Sequence, residues 1–425
     1  MKKIIEFSRL RKKYDACKQV LNKYNQSHLL RFYNHLDIEK KELLLNQVLR
    51  IDFEQISNLY KNSYIEKKRQ DIITPLQYFE AKKFSSEELE YYNNIGINSI
   101  KNGEFAVITL AGGQGSRLGH SGPKGTFELK LAHAKKSLFE ILCDNLKNVN
   151  TLYNVDIPWY IMTSEKNNQA TIQFFEENQY FIYPHKNIHF FKQEKLPVTD
   201  VNGKLMLSEL FLINEASNGN GDVYRALKKN NIIKKLKADG IKWIFICGID
   251  NILVKPVDPL FLGLTINKNY KIASKSIFKE DASSIEAVFV NRNGHPSILL
   301  PDELSVGMGD LKNTNGDYLY RDTNALCHLF NISALEKCSD IELPYHRAYK
   351  KNTFINYEGM KEIPNTPNTF KFEKFIFDAF EHFDDMLLFR VDKDKEFAPI
   401  KDLDSMDKST KLYEKKFIET KNKSN

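Results

Sequence analysis

Several glycines and two permanent cations lie within one short segment, and together they could bind phosphate. The segment from Leu110 reads LAGGQGSRLG and continues as HSGPKG, with Arg117 and Lys124 as its cations. Glycine tolerates positive φ and exposes backbone N–H groups, so such a chain can wrap around anionic oxygen atoms. Arginine presents a planar fork of donors and lysine a point charge, and phosphate accepts both. We call residues 110–125 the glycine loop and expect it to bind phosphate groups.

The glycine loop fits neither of two common phosphate-binding patterns. A Walker A loop needs Gly-x4-Gly-Lys-Ser/Thr, and this string does not occur in the sequence. A dinucleotide fingerprint needs GxGxxG, but Leu118 stands where the third glycine belongs. The alternative is a glycine turn with a purely structural role. The two cations beside the glycines favour phosphate binding over that alternative.

Predicted strands and helices alternate around the glycine loop and must hold it. A short apolar run, Phe105–Leu110, leads into the loop as a buried strand. After the loop we predict helices at 136–146, 167–178 and 222–238, and strands at 158–163, 189–193 and 242–247. This alternation predicts a mostly parallel sheet with helices on both faces.

Ligands of such a sheet bind beyond the carboxyl ends of its strands. The residues that could do chemistry fall at those ends. They are the glycine loop after Leu110, Ser164 after the second strand, Gln193 after the third and Asp250 after the fourth. We therefore expect one site at this edge of the sheet.

The remaining segments carry fewer chemical signals. Residues 1–100 have apolar residues at helical spacing, and no motif there suggests chemistry. Later we predict strands at 271–278, 286–291, 296–300 and 386–391, a helix at 370–383 and a last helix in the tail after Asp402. We expect three parts, namely a helical N-terminal region (1–100), a catalytic nucleotide- and sugar-binding domain (101–385) and a small C-terminal region (386–425).

Composition and charge narrow the class of protein. The chain has 425 residues, of which 42% are apolar, and this is typical of a globular protein with large cores. Its net charge of +7 raises the possibility of a nucleic-acid partner. However, the lysines are interspersed with acidic residues and do not form a basic stripe with aromatics between them. A solvated basic surface is therefore favoured, with no nucleic acid as partner.

Neither a membrane span nor a secretory signal is predicted. The longest apolar runs, such as 243–247, are far too short to cross a bilayer, and the N-terminus lacks a long apolar stretch. The five cysteines are scattered and form no CxxC pair, which argues against both a disulfide framework and a zinc ribbon. We expect reduced thiols and a cytoplasmic location.

The glycine loop resembles the signature of the eukaryotic-type UDP-sugar pyrophosphorylases, and most closely that of the UDP-N-acetylglucosamine pyrophosphorylases. Further blocks between residues 104 and 401 resemble those of the family, in the same order. They are 162–164 with 174–175, 190–197, 219–227, 248–255 with 258–259, Asn324, 372–378 and 396–401. The resemblance implies an α/β, Rossmann-like nucleotide-diphospho-sugar transferase fold, with a mixed, mostly parallel sheet flanked by helices. It also implies a uridylyltransferase that converts UTP and a sugar 1-phosphate into a UDP-sugar and pyrophosphate.

The resemblance assigns roles in the UTP half of the site. Arg117 would hold the β- and γ-phosphates, Lys124 would stabilise the α-phosphate, and Lys401 would reach the phosphates from the C-terminal side. Asp250 would bind Mg²⁺, although it could instead cap a turn. The expected nucleotide-binding residues are Leu110, Ala111, Gly112, Gly113, Gly115, Gln193 and Gly219. A planar amide such as that of Gln193 suits the uracil edge, although a lone Gln is more often at a surface.

The resemblance also implies sugar-binding residues, namely Asn220, Asn324 and Glu373. The alternatives are turn positions for the two asparagines and a solvated ion pair for Glu373. The chain departs from the family near the expected sugar pocket, at Ser217, Asp222, Ala287 and Thr323. Added bulk there changes which sugar substituents fit. N-acetylglucosamine 1-phosphate is the leading substrate, with glucose 1-phosphate or a broad set of sugars as the alternative. A non-catalytic nucleotide-sugar binder is a more remote one.

Overall fold

A computed structural model describes residues 2–62, 71–132, 134–279, 287–305 and 307–424. Capping residues start several of its helices: Asp37 accepts from the N–H of Lys40, and Ser85 and Glu88 form a reciprocal capping box. The helices are α1 (Lys2–Lys23), α2 (Ile38–Arg50), α3 (Phe53–Asn62), α4 (Ser86–Lys101), α5 (Leu138–Tyr153), α6 (Asn168–Glu177), α7 (Val223–Lys229), α8 (Ile232–Ala238), α9 (Pro259–Asn267), α10 (Ile332–Asp340), α11 (Lys393–Glu396) and α12 (Leu403–Ser424).

Short strands alternate with these helices along the chain. They are β1 (Ile73–Pro75), β2 (Tyr78–Glu80), β3 (Phe105–Leu110), β4 (Glu128–Lys130), β5 (Lys135–Ser137), β6 (Trp159–Thr163), β7 (Ile188–Lys192), β8 (Lys195–Pro197), β9 (Leu207–Glu209), β10 (Leu212–Ile213), β11 (Glu215–Ser217), β12 (Trp243–Gly248), β13 (Ile272–Phe278), β14 (Val288–Arg292), β15 (His295–Leu299), β16 (Asp322–Asn331), β17 (His346–Lys350), β18 (Phe354–Ile355), β19 (Lys361–Glu362), β20 (Thr369–Glu373) and β21 (Leu387–Val391).

The described residues group into two compact units, each built from separate stretches of chain. The helical unit comprises Met1–Arg69, Glu194–Gly221 and Pro344–Phe375. The sheet unit comprises Gln70–Gln193, Asp222–Leu343 and Ile376–Asn425.

A mixed sheet forms the centre of the sheet unit, as predicted. Its main path runs β2-β21-β13-β16-β12-β3-β6-β7, and β1, β14 and β15 complete it. The four neighbours β12, β3, β6 and β7 are parallel, whereas β16 is antiparallel to both β12 and β13. Strands β3, β6 and β12 are buried throughout, which explains why they read as continuous apolar runs rather than alternating ones.

Aromatic packing fixes α5 and α6 against this sheet. The buried ring of Phe175 in α6 contacts those of Phe139 in α5 and Trp159 in β6, both edge to face. Such arrangements contribute about 0.5–1.5 kcal/mol beyond the area that they bury. The strand ends near the glycine loop therefore rest on a rigid aromatic core.

The helical unit has its own core. Side chains of α1 and α2 pack there against residues 205–213 and Ile355, and Leu21, Leu44 and Leu45 are fully buried. The amide of Gln26 bridges two segments by donating to the carbonyl of Gly203 and accepting from the N–H of Leu205. This unit confirms the predicted helical character of the N-terminal region.

Two predicted helices are wrong. The helix predicted at 222–238 is interrupted between α7 and α8, because Asn231 has a left-handed φ of 56°. The region 370–383 begins as strand β20, which pairs with β17, and continues as a 3₁₀ helix, Ile376–His382. Glu373 therefore ends a strand and does not lie on a helix. The predicted strand start at Glu286 lies outside the described residues.

Candidate active site

The carboxyl ends of the parallel strands are level with one another. Register pairs Gly248 with Leu110, Leu110 with Met162, and Thr163 with Lys192. The segments that follow these strands therefore emerge at one edge of the sheet. This geometry brings together the glycine loop, Ser164, Gln193 and Asp250, as the sequence predicts.

The glycine loop folds back on itself directly after β3. The N–H of Gly115 donates to the carbonyl of Gly122, and the N–H of Lys124 donates to that of Gly113. Between them lies a 3₁₀ turn, Ser116–Leu118, that ends at Gly119 with a φ of 68°. A second 3₁₀ turn, Lys124–Thr126, leads into β4. The loop is thus held by its own backbone, with Arg117 exposed and Lys124 largely shielded from solvent.

Close approaches explain two of the glycines. A Cβ on Gly112 would lie only 1.9 Å from Nε2 of Gln193, so the amide of Gln193 packs directly on that glycine. A Cβ on Gly115 would meet the ring of His120, whose Nε2 lies 2.8 Å from Oγ1 of Thr126. Gly113 instead faces open space. Gln193 and Gly112 therefore form one surface, on which a base or phosphate can rest.

Lys124 and Asp250 are in direct contact. Nζ of Lys124 donates to Oδ2 of Asp250 at 3.1 Å, and both side chains are largely shielded from solvent. The other oxygen, Oδ1, lies over Gly248, where a Cβ would be 2.8 Å away. Oδ1 accepts no hydrogen bond from any residue that the structure describes. A predicted phosphate-binding cation and a predicted metal ligand thus stand side by side.

Arg117 and Lys401 share a third neighbour, Asp402. The pKa of Asp402 is lowered first by hydrogen bonding with Ser405, whose N–H donates to the carboxylate, and further by the charges of Arg117 and Lys401. Both cations are exposed and lie within electrostatic reach of the same carboxylate. All three predicted catalytic cations therefore belong to the sheet unit.

Asn251 ties the segment before Lys401 to the strand end that carries Asp250. Its Nδ2 donates to the carbonyl of Glu396, and its Oδ1 accepts from the N–H of Ala398. The N–H of Ile400 then donates to the carbonyl of Asp250. Asn251 was not singled out from sequence. Its signal is an asparagine directly after a strand-end carboxylate, which is also common in ordinary turns.

A buried ion cluster anchors the same segment. Nζ of Lys275 lies 2.6 Å from carboxylates of both Asp258 and Glu396, and Lys255 also reaches Glu396. Burial alone lowers the pKa of Lys275, but the two carboxylates overcome that effect and raise the pKa above its ordinary value. The ion pairs of this cluster fix the chain just before Lys401.

Asn324 lies at a bulge in β16. The pairing of Cys247 with Cys327 carries the start of β16 past the end of β12, toward the edge that holds Asp250. Asn324 Oδ1 accepts from the N–H of Leu326, whose φ of 51° is rare for a bulky residue. The register shift at this point belongs to a bulge, a device often found beside active sites.

The departures from the family fall into different environments. Thr323 and Asn324 pair with Ile277 and Ser276 on the regular side of the bulge, so their side chains point to opposite faces. The hydroxyl of Thr323 donates to the carbonyl of Ile277. The carbonyl of Ala287 accepts from the N–H of Asn324, and Asp222 is fully buried. Ser217 ends β11 in the helical unit.

Three further predicted residues belong to the helical unit. Gly219 has a φ of 92°, and a Cβ there would lie 3.0 Å from that of Glu373 and closer still to the backbone of Lys374. Asn220 begins a 3₁₀ turn, and Glu373 accepts from Nζ of Lys371 at 2.6 Å. The structure thus brings Gly219 and Glu373 together.

Two features are absent from the described part of the chain. No group of three or more His, Cys, Asp or Glu side chains there could hold a metal ion. No helix in the same part of the chain is long and apolar enough to cross a membrane.

Comparison with known proteins decides the family. A profile of the family described as UTP–glucose-1-phosphate uridylyltransferase matches residues 52–423. The chain belongs to this family. It is 32% identical to the UDP-N-acetylglucosamine pyrophosphorylase of Saccharomyces cerevisiae over 407 residues, covering 90% of this chain and 85% of that one. It is 31% identical to the UDP-N-acetylhexosamine pyrophosphorylase-like protein 1 of Xenopus tropicalis, covering 91% of this chain and 79% of that one.

A solved structure supports the same family. The UDP-N-acetylglucosamine pyrophosphorylase of Trypanosoma brucei superposes with a TM-score of 0.78 at 25% identity, covering 94% of this chain and 84% of that one. The predicted family, fold class and class of enzyme, a uridylyltransferase, are therefore confirmed.

Proposed function

We propose that this uridylyltransferase uses UTP and N-acetylglucosamine 1-phosphate to make UDP-N-acetylglucosamine and pyrophosphate. The observation that carries the proposal is the contact between Lys124 and Asp250 beside the glycine loop. It combines, at the end of a parallel sheet, a cation for phosphate, a carboxylate for a metal and a glycine-rich backbone. The choice of sugar is supported by the names of the relatives in yeast and Trypanosoma brucei.

The proposed reaction is an in-line displacement at phosphorus. An oxygen of the sugar phosphate attacks the α-phosphorus of UTP, the bond from that phosphorus to the bridging oxygen breaks, and pyrophosphate leaves with the electron pair. Such a reaction needs two polyanions held together and the growing charge neutralised. Lys124 would neutralise charge on the α-phosphate, Arg117 would hold the departing phosphates, and Lys401 would reach them from the C-terminal segment.

The residues present fit a magnesium ion. Mg²⁺ in nucleotide sites takes one or two carboxylates and fills its shell with phosphates and water. Asp250 offers one carboxylate, whose Oδ1 no described side chain occupies. Asp250 would hold the ion, which would supply positive charge to stabilise the phosphates. Lys124 keeps that carboxylate oriented by its hydrogen bond to Oδ2.

Glucose 1-phosphate is the second candidate substrate. It is supported by the description of the family itself and by Asp222, a buried departure from the family two residues after Asn220 in the sequence. We also infer a reducing, cytoplasmic location. Its support is that Cys247 and Cys327 are register partners in adjacent strands and both remain free thiols.

The deciding experiment measures pyrophosphate release by the purified chain with UTP and Mg²⁺. The acceptors are the 1-phosphates of N-acetylglucosamine, N-acetylgalactosamine, glucose and galactose. We expect the highest kcat/KM with N-acetylglucosamine 1-phosphate. A higher kcat/KM with glucose 1-phosphate would establish the second candidate. No release with any sugar, in a preparation that binds UTP, would contradict the enzyme proposal.

A further inference from the structure

Asn167 occupies the N-cap position of α6 but does not cap that helix. Asparagine is favoured at such positions because its side-chain oxygen accepts from the first turn of N–H groups. Here the side chain makes no capping hydrogen bond, although the residue is almost completely buried. The side chain of Asn167 therefore makes hydrogen bonds elsewhere, although its residue type favours capping.

The buried amide of Asn167 is fully used within the sheet unit. Its Oδ1 accepts from the N–H and the hydroxyl of Ser164, at 2.7 and 2.9 Å. Its Nδ2 donates to the carbonyl oxygens of Ala111 and Gly113, at 2.9 and 3.1 Å. The partners fix the orientation of the amide, because carbonyls only accept and the backbone N–H only donates. Asn167 thus joins the end of β6 to the glycine loop.

This contact sets the direction of two peptide planes in the loop. The peptide bonds there are trans, so each N–H points away from the carbonyl of the preceding residue. Since the carbonyls of Ala111 and Gly113 turn toward Asn167, the N–H groups of Gly112 and Gln114 turn away from it. Neither N–H donates to any residue that the structure describes. Two donors are thereby presented on the face opposite Asn167.

We propose that Asn167 is the positioning residue that presents the Gly112 and Gln114 N–H groups to UTP. The inference rests on the proposed function, because UTP is taken as the ligand of the glycine loop. Without the two bonds from Nδ2, the Ala111 carbonyl loses its partner in the described part of the chain, and the Gly113 carbonyl keeps only the N–H of Lys124. The Ala111 carbonyl is then free to rotate outward, where it would face anionic oxygens. Asn167 does not touch the reacting atoms and acts only through the loop.

The main test replaces the donor of Asn167 without changing its size. Asn167→Asp keeps an acceptor for Ser164 but places oxygen against the carbonyls of Ala111 and Gly113. The matched control is Asn178→Asp at the other end of α6, where Nδ2 also donates to a backbone carbonyl, that of Phe174. Calorimetry with UTP and Mg²⁺ gives the Kd and the stoichiometry, and steady-state assays give kcat at saturating UTP.

We expect Asn167→Asp to weaken UTP binding by about tenfold or more at unchanged stoichiometry. The value of kcat at saturating UTP should stay within about threefold, and Asn178→Asp should bind like wild type. A merely structural role would instead lower the stoichiometry or melting temperature and leave the Kd of the folded fraction unchanged. That result, or a wild-type Kd for Asn167→Asp, would overturn the proposal.

A milder variant covers the case in which Asn167→Asp does not fold. Ser164→Ala removes only the hydroxyl bond to Oδ1, and we expect UTP binding to weaken by about two- to fivefold. An unchanged Kd for this variant would then overturn the proposal. Wild-type protein that binds UTP but releases no pyrophosphate with any sugar would contradict the proposed function alone. Wild-type protein that does not bind UTP would overturn both.

Discussion

The glycine loop and the β16 bulge lie at the same edge of the sheet but are built in opposite ways. The loop offers main-chain donors and has cations beside it. Its backbone is supported by other side chains: Asn167 donates to two of its carbonyls, and the ring of His120 packs on Gly115. The bulge offers one side chain, Asn324, whose oxygen is already bound to the N–H of Leu326. Its Nδ2 donates to no residue in the described part of the chain.

This difference bears on how each region tolerates substitution. A backbone N–H can donate whatever side chain its residue carries, provided that the backbone conformation is kept. The loop therefore depends on its glycines and on the side chains that hold its conformation. The bulge depends on the identity of one amide and on a left-handed Leu326, a backbone conformation that costs about 1–3 kcal/mol. We therefore expect the preference for the nucleotide to resist substitution and the preference for the sugar to change easily.

The largest effect should come from the loop cations. Lys124→Ala removes the charge proposed to stabilise the α-phosphate, and Arg117→Ala removes the one proposed to hold the leaving phosphates. We expect kcat/KM to fall by about 100- to 1,000-fold in either variant, with an unchanged melting curve. Pyrophosphate release measures the rate, and Lys130→Ala in β4, an exposed lysine, is the control. A tenfold loss or less would mean that the loop acts through its backbone alone.

Asp250→Asn tests the carboxylate between the two regions. An amide is a weaker ligand for Mg²⁺ and no longer carries the charge that pairs with Lys124. We expect activity to fall about 100-fold and the Mg²⁺ concentration for half-maximal rate to rise by about tenfold. The exposed Asp404 of α12 supplies the control, Asp404→Asn. An unaltered metal titration in Asp250→Asn would count against its role as a ligand.

A substitution in the bulge should change the KM for the sugar 1-phosphate and not the KM for UTP. Asn324→Asp keeps the acceptor for Leu326 but replaces the free donor with a charged oxygen. We expect the KM for the sugar 1-phosphate to rise by about tenfold and that for UTP to stay within about twofold. Thr323→Ser is the control, because it keeps the hydroxyl bond on the opposite face. Equal changes in both KM values would remove the distinction between the two regions.

Sequence patterns predicted the loop and its strands because those elements are local. The apolar run Phe105–Leu110 and the glycines after it are contiguous, and β3 has the bounds that were predicted. The hydrogen bonds from Asn167 to the loop could not be predicted from sequence. They join residues more than fifty positions apart, and Asn167 is an ordinary residue for an N-cap position. Strand β20 was mistaken for a helix because only its pairing with β17 distinguishes the two.

The roles of the site residues and the division into three parts remain predictions. Geometry places Lys124 against Asp250 and Gln193 against Gly112, but contacts between protein groups do not identify a ligand. The sugar preference depends on side chains around Asn324 whose effect is a small difference between two binding energies. Such differences are determined by measuring substrate preferences and cannot be read from the fold.

The smallest effect should come from a lysine that serves neither region. Lys416 in α12 donates to the carbonyl of Lys395, and its pKa is lowered to about 8, first by burial and then by Lys255 and Lys275, against the attraction of Glu396. The pKa in the unfolded chain is about 10.4. Between these two values the unfolded state binds more protons, so this group raises stability as pH increases and opposes folding fully below about pH 8.

Lys416→Met should therefore raise the melting temperature at pH 7 by about 1–2 °C, and the gain should fade as pH approaches 10. Lys415→Met makes the same exchange at an exposed neighbouring position and should change little at either pH, because Met and Lys have similar helix propensities. Both variants should keep wild-type KM values for UTP and the sugar phosphate, since neither lysine belongs to the loop or the bulge. A gain that is independent of pH would show that better packing, and not removal of a disfavoured charge, is its cause.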